Sequence, residues 1–495
     1  MVWNSDRARR RIKEHLRTAP VVDSGVSLAE HRVLAKAEIA KARADGRFPN
    51  ARAVAVEGAH LYGRLLDFED QVTDSARRET EASHKGVLGY LHVHYAVWDS
   101  IVDGDDAVRV DFHGPRMHAV VTEPKGNPQE QVRRALALGA KLEEAARRVG
   151  RAQGVPSRTR FGIDHGTCLA LTTGRSHDTD TLFLGSPANH AAKLCAVADE
   201  VGIYLTPRAE AIANGWRSTP GTQNVKAPSA LLAEATRIYQ FAALERAAAR
   251  VVAGEVKKPN FSFFRPTPPL RDLKFADLRP SNTARAGMSS LFADIDGYTA
   301  FVDDAIRQGP AKIKEAVAAI HVLREELNDV LREDFGGKRV RFIGDCIHGL
   351  IVEGKQADDA AKAVLTSALC ASGMRSSFEL CAELVPGVRD LDLAIGIEYG
   401  PIPLTRIGKP GDESIRCAAG CAVVVSEREQ QAIDGGGVRL GEQARKVASA
   451  SVQKYYAGAR RILDYDDATN LLGAVESPVV RTVASQPAAR SYVRK

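Results

Sequence analysis

At 495 residues the chain is too long for one ordinary hydrophobic core and predicts two or three domains. Its 44% apolar and 26% charged residues exclude wholesale disorder, and a net charge of +6 over this length lacks the dense Lys/Arg track of a nucleic-acid binder. No run approaches the roughly 18 apolar residues of a membrane span, and the start has no signal-type apolar stretch, so a cytoplasmic protein is expected.

Residues 1–50 read as an N-terminal helical segment, with helices over 7–17 and 28–44. The basic run Arg7-Ala8-Arg9-Arg10-Arg11-Ile12-Lys13 reads as a solvated helix face. Residues 51–245 form a first domain and 287–470 a second, because three blocks recur in the same order. A-V-A-V-E-G-A-H (53–60) stands opposite S-L-F-A-D-I-D-G (290–297). R-V-D-F-H-G-P-R-M-H-A (109–119) stands opposite R-V-R-F-I-G-D-C-I-H-G (339–349), and R-F-G-I-D-H-G (160–166) opposite A-I-G-I-E-Y-G (394–400). Between the domains, residues 246–286 hold Pro259, Pro266, Pro268, Pro269 and Pro280 and read as an extended linker. Residues 471–495, rich in Ala, Arg and Ser, read as a loose tail. Seven cysteines with no paired spacing point to reduced, structural thiols.

In the second domain the apolar pattern predicts a strand over 290–293, helix over 299–334 and a hairpin of 338–343 with 346–352. Helix over 360–384 and a strand over 391–398 follow. This alternation around a central hairpin predicts an α+β, ferredoxin-like sandwich in each half. Asp294 ends its strand and Asp345 sits at the hairpin tip, so the two carboxylates converge if those strands are neighbours. Two hard oxygen ligands with open positions suit Mg²⁺ or Mn²⁺. An EF-hand is excluded, since Gly297 falls too early and no Glu lies at the closing position.

L-F-A-D-I-D-G-Y-T, F-I-G-D-C-I-H-G and A-I-G-I-E-Y-G-P together resemble the signature blocks of class III nucleotidyl cyclases. The resemblance implies two tandem cyclase domains forming a pseudo-heterodimer, with Asp294, Asp345 and the Ile295 carbonyl holding two ions of Mn²⁺ or Mg²⁺. The first domain offers Glu57 and Pro115 at the metal positions and is expected to be metal-dead, yet L-G-S-P-A-N-H-A-A-K (184–193) resembles the family's catalytic helix block. That implies Asn189 and Lys193 as catalytic residues, orienting the ribose and steadying the transition state. The second domain, C-A-A-G-C-A-V-V-V-S-E-R at 417–428, has no asparagine there. Complementary losses predict one working site per chain.

For the substrate, Phe292, Asp111, Arg341 and Lys226 are the candidate binding residues. Asp111 and Leu182 stand where adenylate cyclases carry a lysine and an aspartate for adenine, and an aspartate can accept from uracil N3–H or a cytosine amino group. The chain therefore resembles the pyrimidine cyclases of bacterial anti-phage (Pycsar) defence. The expected reaction is UTP to 3′,5′-cyclic UMP and pyrophosphate, with a phage-derived activator and further pairing of chains as candidate partners. Cyclisation of CTP or a purine nucleotide, or a non-catalytic nucleotide-binding module, stands as the alternative. A two-metal nuclease or polymerase palm would share the paired aspartates but needs a basic track.

Overall fold

In the computed structural model, which describes residues 2–44, 52–104, 107–173, 180–197, 200–215, 223–239, 242–252, 256–458 and 460–473, one topology is built twice. The N-terminal segment contributes α1 (Ser5–Arg17), β1 (Val21–Asp23) and α2 (Leu28–Ala44). The first half continues with β2 (Arg52–Leu65), α3 (Phe68–Val72), α4 (Glu81–Gly104), β3 (Val108–His113), β4 (Arg116–Val121) and α5 (Pro128–Gln153). It then adds β5 (Thr159–Thr173), β6 (Asp180–Leu184), α6 (Ser186–Ala196), β7 (Gly202–Leu205), α7 (Pro207–Ala213), β8 (Val225–Lys226), α8 (Ser229–Ile238) and α9 (Ala242–Val252).

The second half comprises β9 (Phe263–Phe264), β10 (Thr283–Asp296), α10 (Tyr298–Gln308), α11 (Pro310–Asp329), β11 (Lys338–Ile343), β12 (Cys346–Ile351) and α12 (Ala360–Leu384). It closes with β13 (Asp392–Ile407), β14 (Ile415–Ala418), α13 (Cys421–Gln431), β15 (Gly437–Leu440), α14 (Glu442–Val447), α15 (Ala450–Tyr455) and α16 (Tyr465–Leu472). The strands run β3-β4-β2-β5-β7-β8 in one sheet and β11-β12-β10-β13-β14 in the other, with β15 also beside β13 as β7 is beside β5.

Each sheet buries one face under its long helices. In the first half, Leu61, Phe112 and Phe161 pack with Leu91 and Trp98 of α4 and Leu138 of α5. In the second, Leu291, Ile347 and Ile395 pack with Ile320 and Leu323 of α11 and Leu369 of α12. The opposite faces carry α6 and α13. Glycine is required where these helices cross: a Cβ on Gly162 would stand 2.3 Å from the Ala191 carbonyl, and one on Gly396 2.1 Å from that of Ser426. The matched glycines of the sequence repeat thus mark a close helix–sheet approach.

Register corrects one part of that repeat. Tyr62 pairs with Gly162, and Phe292 pairs with Gly396. His118 pairs with Tyr62, and His348 with Phe292. The structural partner of Asp294 is therefore Arg64, not Glu57, which is exposed and pairs with Thr167. Pro115 remains the counterpart of Asp345. A gapless match by local pattern slipped because both strands are long and apolar, with little to mark register.

The expected helix over 299–334 is two helices, parted at Gly309 (φ 94°) with Pro310 opening α11, where its missing N–H costs nothing. The stretch expected as an extended linker is packed. Helix α9 reaches Val252, Phe261, Leu270, Phe275 and Leu278 are buried, and β9 pairs in parallel with β10, which begins at Thr283. The tail expected from 471 begins inside α16, where Leu472 is buried; residues 474–495 lie outside the described residues.

The basic run is also not a free face throughout. Helix α1 packs on α11 and α12, where Arg7 meets Asp334 at 2.7 Å and Arg11 meets Glu326 at 2.6 Å and Asp334 at 3.0 Å. Both acids are 1% exposed. Strand β1 meanwhile pairs with β2, so the N-terminal segment joins the two halves. Among the described residues, His15, Glu326 and Asp329 are the one trio at metal-ligand spacing, but Arg11 and Ser377 already occupy Glu326.

Candidate active site

Strand β10 carries Asp294 on the face turned toward α13, while its neighbours Ala293 and Ile295 point into the α11/α12 core. Ala293 pairs with Ile347, two residues beyond Asp345, and Ile343 pairs with Cys346 across a tight turn. Gly344 takes φ 61° in that turn, a conformation that favours glycine. The hairpin thus delivers Asp345 beside the end of β10. The sequence expectation that the two carboxylates meet is matched by this register.

Both carboxyls are buried beside other acids, and this sets their electrostatics. Burial, together with nearby Asp296, pushes the Asp294 carboxyl up to about 6, although Gln430 donates to its Oδ2 at 3.2 Å. Burial and repulsion from Asp294 push Asp345 well above the carboxylate range, opposed by the Arg324 charge and the Ile295 backbone N–H. Arg324 is 1% exposed and stacks on Phe342 with its guanidinium carbon 3.8 Å from the ring centre. Two converging, destabilised oxygen donors fit a hard divalent ion, which would lower both pKa values.

The first half meets this cluster through α6. The Asn189 Nδ2 donates to Thr299 Oγ1, five residues beyond Asp294, and the Ser186 backbone N–H donates to Asp303 Oδ1 at 2.9 Å. Lys193 lies one turn further along α6, exposed. The helix is held from behind: buried Asp164 accepts from His190 at 3.1 Å, Arg208 at 2.6 Å and Thr206. Burial would raise the Asp164 carboxyl, but these partners outweigh it and hold it low.

In the second half, α13 offers Val424 and Arg428 at the equivalent helix positions, counted from Gly185 and Gly420. It is closed against the first half by Arg116–Glu427 and by the Cys421 N–H donating to Glu79 at 2.7 Å. Burial would raise Glu427, yet Arg116 and His113 hold it below the usual range. With Arg64 bound to the Ala196 carbonyl and Glu69, this second junction presents a guanidinium where the first presents a metal-type aspartate.

The substrate candidates separate. Asp111 and Arg341 come together, Arg341 Nη1 donating to Asp111 Oδ2 at 2.6 Å. Phe292 is 1% exposed and stacks on His348 with ring centres 4.3 Å apart, so it is part of the floor beneath the junction. Lys226 is exposed on β8, its stem over Gly202 and its charge beside Glu143 and Glu200; no described contact joins it to the other candidates. Sequence reasoning did not single out Thr299, although it stands in the quoted D-I-D-G-Y-T block. Gln430 and Arg324 gave no motif signal, since both reach the aspartates from distant helices.

No protein-family model matches the chain. It is 38% identical to a uridylate cyclase of a Rhizobium species over 99% of each chain, and 36% identical to a uridylate cyclase of Pseudomonas aeruginosa over 95% of this chain and 91% of that one. The crystal structure of a class III adenylyl cyclase-like ATP-binding protein from Pseudomonas aeruginosa superposes with a TM-score of 0.83 at 34% identity, covering 95% of this chain and 100% of that one. Among the described residues no helix is long and apolar enough to cross a membrane. With near-complete coverage at this identity and a fold shared along the whole chain, the protein belongs to the uridylate cyclase family, built on the class III cyclase fold.

Proposed function

We propose that the chain converts UTP to 3′,5′-cyclic UMP and pyrophosphate at one site, shared between the halves of a pseudo-heterodimer. The observation that carries this reading is the reach of Asn189, from the half without metal-type aspartates, to Thr299 in the half that has them. Asp294, Asp345 and the Ile295 carbonyl would hold two ions of Mn²⁺ or Mg²⁺. Bound there, the ions supply Lewis acidity at the ribose 3′-hydroxyl and neutralise the phosphates.

The chain's own groups do the rest. Asn189 orients the ribose, so that the 3′-oxygen attacks the α-phosphorus in line as an intramolecular nucleophile. The Lys193 ammonium stabilises charge growing on the α-phosphate oxygens as pyrophosphate leaves. Asp111 accepts from uracil N3–H. Product release as a diffusible cyclic nucleotide suits a second-messenger role in anti-phage defence.

A second reading, an adenine-nucleotide binder, is favoured by the ATP-binding character of the superposed Pseudomonas protein. The two separate on product analysis after incubation with Mn²⁺ and equal amounts of the four ribonucleoside triphosphates. Cyclic UMP as the main product is expected. Cyclic AMP would overturn the base assignment, and bound but unconverted ATP would support the second reading.

A further inference from the structure

Asp111 and Arg341 are each other's counterparts in the two halves. Asp111 pairs with His118 and Arg341 with His348, and both follow a bulge, between Arg109 and Asp111 in one hairpin and between Arg339 and Arg341 in the other. A bulge re-aims the side chain that follows it. Here both are turned to the junction, where Arg341 grips Asp111 Oδ2 at 2.6 Å and also donates to the backbone carbonyls of Phe112 and Arg416. Arg341 is 3% exposed, whereas the Asp111 side chain remains 36% exposed. The arginine is therefore locked between both halves, while the carboxylate it holds stays open to a ligand.

We propose that Arg341 is a positioning residue for base selection, clamping Asp111 so that its remaining oxygen reads a pyrimidine N3–H. This rests on the uridylate reading above. An ionised carboxylate only accepts hydrogen bonds. Uracil offers N3–H to it; at the same position cytosine offers a lone pair and is repelled, and only a carboxylate free to swing would reach the cytosine amino group instead. Discrimination of this kind depends on the acceptor being unable to swing away from the wrong base. A guanidinium fixed by two backbone carbonyls removes that freedom, and it comes from the half that also supplies the aspartate pair.

The test is kcat/KM for UTP and CTP in wild type, Asp111→Asn, Arg341→Lys and the double variant, with Mn²⁺ dependence and thermal midpoint measured alongside. Asp111→Asn should shrink the UTP/CTP ratio by about ten-fold or more. Arg341→Lys should shrink it by a similar factor with the Mn²⁺ dependence unchanged, and the double variant should lose no further selectivity. An Arg341→Lys enzyme that keeps the ratio while Asp111→Asn loses it overturns the clamp and leaves the uridylate reading standing. An unchanged ratio in Asp111→Asn overturns the clamp together with the base contact. A wild type making no cyclic UMP brings down the uridylate reading itself. Should Arg341→Lys fail to fold, Arg341→Gln, which keeps donors for the Phe112 and Arg416 carbonyls without the charge, takes its place: a shrunken UTP/CTP ratio supports the clamp, and a retained ratio overturns it.

Discussion

Asp294 and Asp345 are held at a cost to the fold. Their carboxyls sit above the ordinary range because burial and neighbouring carboxylates, Asp296 beside Asp294 and Asp294 beside Asp345, penalise ionisation. The folded protein therefore binds more protons than the unfolded chain, and stability must fall as pH rises from the unfolded value of 3.8 through the raised folded values. In chelator, the thermal midpoint should drop as pH rises from about 4 through about 6 and beyond, and Asp345→Asn should flatten that drop while abolishing activity. On α6, Asn189→Ala should lower kcat by about 10²-fold, and Lys193→Ala by about 10²- to 10³-fold, as for lost preorganised donors. Lys193→Arg keeps the charge and should retain most of the rate. A Lys193→Ala enzyme at wild-type kcat would remove that residue from the mechanism.

Among the elements, α1 shows how a polar-looking segment becomes structural. Arg11, with a side chain 14% exposed, answers two buried acids at once, so Arg11→Met should destabilise the fold by about 3 kcal/mol in denaturant melts. His15 adds a pH-dependent part. Burial would lower its pKa, but Asp329, Glu325 and Glu326 outweigh burial and raise it above 6.5. Its contribution is full below 6.5 and fades as pH rises through the raised value, so His15→Ala should cost more at about pH 6 than at about pH 9.

What was legible at this scale was local. The 344–345 turn, the end of β10 and the glycines under α6 and α13 each carry a short-range signature. The docking of α1 does not, because the acids that pair Arg7 and Arg11 lie more than 300 positions away. The packed stretch 256–282 escaped for a related reason: its prolines break periodicity, while Phe261, Leu270 and Phe275 are buried one at a time. The register of β2 against β10 needed cross-strand pairs, and these replaced Glu57 with Arg64.

Taken whole, the molecule is a duplication whose two junctions have diverged. One junction has Asp294, Asp345 and Asn189; the other has Arg64, Val424 and a buried Arg116–Glu427 pair. A guanidinium at the Asp294 position would repel a cation, so each chain should carry one competent site. The most direct test mixes two impaired variants, Asp345→Asn and Asn189→Ala, with wild type measured in parallel. If one chain supplies both sides of its own site, the mixture stays at the level of the separate variants. Recovery of a substantial part of wild-type activity would show that the two sides come from different chains, and would contradict the account.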